Sequence, residues 1–208
     1  TKYFNQPLDA SIRDKIIKTN QIDTAKKIIL FPARITSWKG QLEFIDVIKK
    51  MDTQNILVLF AGDTKNESYT KLVRDKIKQN NFEGVCKILG GVNQDEMRCL
   101  YQIADLSVSF PLRAEGFGRT VSESLYSKTP VLAFDYGGVK NQLADLSEIF
   151  KVKPQDFIGL PAQIEKLLSL SDDQKKEALE GVQSLIENDF SKTNMANQYL
   201  KLYESVKS

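Results

Sequence analysis

Five short runs, at 27–31, 56–60, 85–89, 106–110 and 130–134, are mostly apolar and rich in β-branched residues, with helix-periodic stretches between them. Residues 41–51 show the contrast: Leu42, Ile45, Val47 and Ile48 make one stripe, and Glu43, Asp46, Lys49 and Lys50 the other. A sheet with one wet face would alternate polar and apolar residues along each strand. Strands with no wet face need cover on both sides. The intervening helices supply that cover, so the pattern predicts a doubly wound, Rossmann-like α/β domain on a parallel sheet. Further helices are expected at 67–79, 95–103 and 117–126, and a sixth strand at 149–152. After Pro154 only helical patterns remain, at 157–168, 172–187 and 192–206, with Ser171, Asp172, Asp173 and Ser191 as N-caps. No internal repeat or second core interrupts the chain, which reads as a single domain over 1–208. That length buries an adequate core without disulfides or a structural metal.

What the chain lacks narrows its chemistry. It contains no histidine, which excludes a Ser-His-Asp triad, a Cys-His pair and a histidine-held metal. Its 29 basic and 27 acidic residues nearly cancel, so bulk charge predicts no nucleic-acid partner. The two cysteines, Cys86 and Cys99, match no zinc-ligand spacing and read as buried thiols of a reducing compartment. The sequence shows neither a signal-peptide layout nor an apolar run of about 18 residues, and the expectation is a soluble cytoplasmic protein.

Doubly wound sheets bind ligands beyond the carboxyl ends of their strands. The loop after the first strand lacks the Gly-x-Gly-x-x-Gly of a dinucleotide site. No Gly-Lys dipeptide exists for a Walker A loop, and no Asp-x-Asp to hold a metal against a nucleotide diphosphate. What the loops do contain is Arg34 and Lys39 around Trp38, then Arg113-Ala114-Glu115-Gly116-Phe117-Gly118 opening a helix that carries Glu123. Cations facing a glycine-rich helix N-terminus suit a diphosphate, because free N–H groups and the positive helix end both favour an anion. A guanidinium adds full charge and engages two oxygens. Carboxylates repel phosphate, so Glu115 and Glu123 are expected to take hydroxyl donors of the same ligand, one on a sugar and one on a ribose. Singly, each feature has a plainer reading: a solvated Lys39, a Glu123–Arg119 i,i+4 pair worth ~0.2–0.5 kcal/mol, and ordinary turn glycines.

Together these residues resemble the C-terminal, donor-binding domain of the group 1 glycosyltransferases of GT-B architecture, retaining enzymes that use nucleotide-diphosphate sugars. Glu115-x7-Glu123, with its Glu-Gly-Phe-Gly opening, is similar to the family's paired-glutamate motif. Ala33-Arg34 through Lys39-Gly40 resembles its "GR…KG" loop. Ala61-Gly62-Asp63, Leu89-Gly90, Thr129-Pro130-Val131-Leu132-Ala133 with Gly137-Gly138, and the closing Tyr199-Leu200-x-Leu202-Tyr203-Glu204 follow in the family's order, from about residue 3 to 204.

The resemblance implies roles. Arg34 and Lys39 would bind the donor diphosphate and stabilise its charge as it departs in a front-face, retaining attack. Glu115 would bind hydroxyls of the transferred sugar, beside the N–H groups of Gly116, Phe117 and Gly118. Glu123 would hold the ribose, Leu89-Gly90 would line the base, and Gly62, Arg119 and Thr120 are further donor-binding positions. No metal and no cofactor beyond the donor is implied. Ser127-Lys128 before the Thr-Pro element, Asn141 in place of a common Glu, and Arg119 directly after Gly118 depart from the family pattern and loosen any inference about the donor sugar.

The family has two such domains, so an N-terminal half carrying the acceptor site is expected to be missing. Thr1-Lys2-Tyr3-Phe4-Asn5 resembles the tail of the linker between them, and the chain is expected to be an inactive piece of a longer protein. An acceptor glycan or glycolipid, cell-envelope polysaccharide synthesis, and peripheral association with the cytoplasmic membrane face through the absent half complete the implied setting. A stand-alone nucleotide-sugar binding module remains an alternative, as does a phosphorylase or epimerase of similar architecture.

Overall fold

The structure, a computed structural model, describes residues 2–6 and 9–207, so Thr1 of the linker-like opening lies outside the described residues. A short 3-10 turn (Lys2–Asn5) and α1 (Ala10–Thr19) lead into β1 (Lys27–Pro32), α2 (Gln41–Ile48), β2 (Ile56–Ala61), α3 (Glu67–Gln79), β3 (Cys86–Gly90) and α4 (Gln94–Ile103). Then come β4 (Leu106–Ser109), α5 (Arg119–Tyr126), β5 (Val131–Phe134), α6 (Gly138–Leu143) and β6 (Lys151–Val152). Four helices close the chain: α7 (Leu160–Leu168), α8 (Asp172–Ala178), α9 (Val182–Phe190) and α10 (Lys192–Lys207).

The six strands form one parallel sheet in the order β3-β2-β1-β4-β5-β6. Every residue of β2, β4 and β5 is buried, as strands covered on both faces require. Helices α2, α3 and α7 pack together on one side, while α1, α4, α5 and α9 form the other layer. From β1 the chain steps outward to β2, and it later returns through α4 to lay β4 on the opposite side of β1. The carboxyl ends of β1 and β4 therefore flank the point where the winding reverses, which is the crevice of this topology.

Beneath that crevice lies an aromatic layer. Phe31, Phe44, Phe110, Phe134 and Phe157 are linked by ring-centroid distances of 5.1 to 6.5 Å. Phe31 and Phe134 sit near the carboxyl ends of β1 and β5, and Phe110 directly follows β4, so the loops above rest on a packed floor rather than on water. Edge-to-face and tilted ring pairs of this kind add ~0.5–1.5 kcal/mol each beyond their buried area.

Where the structure differs from the periodic pattern, a local reason is visible. Helix α1 was not expected because it buries only Ile16 fully, leaving too narrow a stripe to read. Helix α6, also unexpected, is six residues long and too short to show a period. The expected helix at 172–187 is two helices, broken where Gly181 takes φ of +75°. Helix α7 begins at Leu160 with Pro161 in its first turn, where a missing N–H is harmless; upstream, Phe157 joins the aromatic layer instead. Ser171 caps α8 in a reciprocal pair with Gln174, as its position suggested.

Both cysteines are buried and unpaired. Burial pushes the Cys86 thiol up to about 12 and the Cys99 thiol up to about 11, which removes thiolate reactivity at neutral pH. Helix α10 packs along α9 and leaves Tyr199, Leu200, Leu202 and Tyr203 exposed. Among the described residues, no helix is long and apolar enough to cross a membrane.

Candidate functional site

The loops after β1 and β4 meet. Leu112 N–H donates to the Trp38 carbonyl at 2.8 Å, which ties the 33–40 loop to the end of β4. Lys39 Nζ reaches across to Glu115 Oε1, and both side chains are only 13% exposed. The same ammonium lies 4.4 Å from the centroid of the Trp38 ring, so an aromatic face and a carboxylate hold it together. Sequence reasoning treated Lys39 and Glu115 as independent ligand groups, but here they are one ion pair. Arg34 stands apart. Its carbonyl accepts from Gln41 Nε2 at 2.9 Å, while its side chain is exposed and has no ion-pair partner among the described residues. The backbone that carries it is nonetheless fixed, since Ile35 N–H donates to the Asp63 carbonyl at 2.9 Å.

Gly62 and Gly90 continue the same edge. Gly62 N–H donates to the Gly90 carbonyl at 2.9 Å, and Gly62 lies against the backbone of Ala33 and Arg34. Leu89 and Gly90, half-buried at the end of β3, are thus two contacts removed from Arg34.

On the other side of Glu115 the chain makes an open turn and enters α5. Helix formation begins at Arg119, two residues later than the pattern suggested, because Gly118 occupies the cap position in a left-handed conformation (φ +76°, ψ +57°). A side chain there would be strained, and its Cβ would fall 2.3 Å from Val139 Cγ2 of α6. The turn is pressed against α6: Gly138 N–H donates to the Glu115 carbonyl at 2.9 Å, and Gln142 Nε2 donates to the Phe117 carbonyl. With these carbonyls turned inward, the N–H groups of Gly116, Phe117, Gly118, Arg119 and Thr120 meet no acceptor among the described residues. A run of unpaired amides at a helix start, beside the Lys39–Glu115 ion pair, is an arrangement that favours an anion.

Glu123, on the second turn of α5, is half-buried. Tyr101 OH of α4 donates to its Oε2 at 3.2 Å and lies equally close to the Thr120 carbonyl. Arg119 pairs with its other oxygen at 3.1 Å. The plainer i,i+4 reading of Glu123 and Arg119 is therefore realised, and Tyr101 adds a contact that no spacing rule suggested. Burial raises the Glu123 carboxyl above its ordinary range, against the opposing pull of Arg119 and Tyr101. The same burial, with Glu123 beside it, holds the Tyr101 phenol well above its usual value.

A stability prediction follows from that sign. A carboxyl whose folded pKa is raised loses native stability as pH climbs from the unfolded value, about 4.3, through the folded one. Glu123→Gln does not titrate, so the variant is expected to unfold at or above the wild-type temperature at pH 7 and to lose that advantage at pH 4. Thermal melts at the two pH values check it, and a variant comparatively weaker at pH 7 would contradict it.

The sequence singled out Arg34, Lys39, Glu115 and Glu123 on these loops, but not the supports behind them. Gln142, Ser122 and Tyr101 were missed, because each is a polar residue at an unremarkable position whose partner is about 20 or more residues away. A groove bordered by Lys128, Lys175, Gly181 and Gln183 lies at the opposite edge of the sheet and shares none of these residues.

The glycosyl transferases group 1 family matches residues 12–192, a span that includes all six strands and every loop residue described above. Trehalose synthase of Thermococcus litoralis is 29% identical over 210 residues, covering 97% of this chain and 50% of that protein. A glycosyltransferase structure from Rickettsia africae superimposes with a TM-score of 0.87 at 27% identity, over 100% of this chain and 55% of that one. Anabaena HepE, solved in complex with UDP and glucose, gives a TM-score of 0.81 at 21% identity, over 98% of this chain and 55% of that one. The chain spans about half the length of each of these three relatives. With that family match over most of its length, the chain belongs to the glycosyl transferases group 1 family.

Proposed function

We infer that this chain binds a nucleotide-diphosphate sugar and supplies the donor half of a retaining glycosyltransferase. The observation that carries this is the unpaired amide run from Gly116 to Thr120, which directly follows the Lys39–Glu115 ion pair where the loops after β1 and β4 meet. Arg34, Lys39 and these amides would take the diphosphate. Glu115 would take hydroxyls of the transferred sugar and Glu123 those of the ribose, with the backbone at Leu89-Gly90 and Gly62 beside the base. As the glycosidic bond breaks, negative charge grows on the departing diphosphate, and Arg34 and Lys39 would meet it. No further cofactor enters this reading. That HepE was solved with UDP and glucose supports the ligand class.

A second domain in the longer protein would supply the acceptor site, with a glycan or glycolipid as acceptor. Cell-envelope polysaccharide synthesis at the cytoplasmic face of the membrane is the setting that this reading carries with it. The 1–208 chain, being one half of the cleft, is then expected to bind donor without transferring sugar.

Calorimetric titration with UDP, GDP and ADP and with their glucose conjugates tests the reading. One nucleoside diphosphate is expected to bind, more tightly with its sugar than without. Because Glu115 serves both the sugar and Lys39 in this scheme, Glu115→Gln is expected to abolish the sugar's contribution while leaving the bare diphosphate at least as tightly held. If no nucleotide binds, the donor reading fails; if Glu115→Gln weakens both ligands equally, its assigned role does.

A further inference from the structure

Gln142 of α6 is a fully buried polar side chain, at 0% exposure, to which the sequence reading gave no role. Its amide is fully engaged. Nε2 donates to the Phe117 carbonyl and lies 3.5 Å from the Gly118 carbonyl, and Oε1 accepts from Ser122 Oγ at 2.5 Å. Two donors and one acceptor thus meet the turn before α5 and the helix itself, with no solvent contact.

The geometry of a trans peptide gives these bonds a consequence on the opposite side of the chain. The C=O of one residue and the N–H of the next point in opposite directions. Holding the Phe117 carbonyl toward α6 therefore turns the Gly118 N–H away from α6, and holding the Gly118 carbonyl does the same for Arg119. Gly138 N–H, bonded to the Glu115 carbonyl, acts in the same way on Gly116.

We propose that Gln142 is a positioning residue for the donor diphosphate: it touches no ligand, but fixes the direction of the Gly118 and Arg119 amides that do. Ser122 completes the device by fixing the rotation of the Gln142 amide, so that nitrogen and not oxygen faces the carbonyls. The proposal rests on the donor reading above, and it assigns a role to a residue that sits behind the binding surface.

The test uses the 1–208 chain with UDP, GDP, ADP and inorganic pyrophosphate, each titrated calorimetrically and followed through backbone amide shifts. Gln142→Met keeps the volume but neither donates to the carbonyls nor accepts from Ser122. It is expected to weaken the ligand that wild type binds roughly tenfold or more, and to erase the ligand-induced shifts of Gly118 and Arg119 while those of Lys39 persist. Ser122→Ala, a milder change that leaves the core filled, is expected to move the same two amides in the same direction by less. A merely structural role would lower the melting temperature without singling out those amides. Wild-type affinity and shifts in both variants would overturn the positioning role alone. A wild-type chain that binds none of the four ligands would overturn the donor reading and this proposal with it.

Discussion

Replacing Arg34 with alanine is expected to weaken nucleoside diphosphate binding roughly 30- to 150-fold, the equivalent of losing about 2–3 kcal/mol of charge-assisted hydrogen bonding. The size follows from how Arg34 differs from the other cation. Its exposed guanidinium has no ion-pair partner among the described residues, so its charge is fully available to a ligand. For the same reason the substitution removes no native contact, and the melting temperature is expected to stay within about a degree of wild type, as for most surface changes. Lys39→Ala provides the contrast. It also weakens binding, but it strands Glu115 at 13% exposure without its cation and strips the ammonium from Trp38, so it should lower the melting temperature as well. Calorimetry with the bound nucleotide, alongside thermal melts, separates the two. An Arg34→Ala protein that binds like wild type would remove Arg34 from the site.

The second large effect is expected at Gly138, where the backbone of α6 touches the backbone of the 115–118 turn. A Cβ at this position would stand 2.1 Å from the Gly116 carbonyl oxygen and 2.7 Å from Phe117 Cα. Neither atom can swing aside as a flexible side chain would, so the turn or the helix must move. Gly138→Ala is expected to destabilise the domain by about 2–4 kcal/mol, in the upper range for overpacking. For a domain of this size that is a drop of roughly 5–15 °C in melting temperature. Displacing the turn also breaks the Gly138–Glu115 backbone bond and misdirects the amides behind it, so nucleotide affinity should fall with stability. Gly116→Ala is the internal control for stability, since its added methyl meets nothing within 4 Å. If Gly138→Ala melts like wild type, the close approach of α6 to the turn is not what holds the site together.

The parallel sheet and its covering helices were legible in the sequence because they rest on local, repeated signals. Uniformly apolar strands such as 56–60 announce burial on both faces, and an amphipathic stretch such as 67–79 announces the helix that covers them; α3 has those same bounds. That such sheets bind ligands beyond the carboxyl ends of their strands pointed to the loops that carry Arg34, Lys39, Glu115 and Glu123, and the strand order then set the reversal of winding between β1 and β4. Arg34, expected to bind the diphosphate, presents an exposed side chain with no ion-pair partner among the described residues.

What depended on partners was not legible. Lys39 and Glu115 are 76 residues apart in sequence, and only the folded chain shows that each is the other's counter-ion. The plainer alternative for Glu123, a pair with Arg119 one helical turn away, was readable from spacing, but the Tyr101 hydroxyl that shares it comes from another helix. Gln142 reaches back 25 residues to Phe117 from a helix too short to leave a periodic trace. Thus the sequence by itself determined the layers and which loops carry the candidate side chains, since hydrophobic burial is read from patterns a few residues long. Tertiary structure alone decided which charges are paired, which amides face outward and what holds them there, because hydrogen bonds are directional and their partners are chosen across the fold.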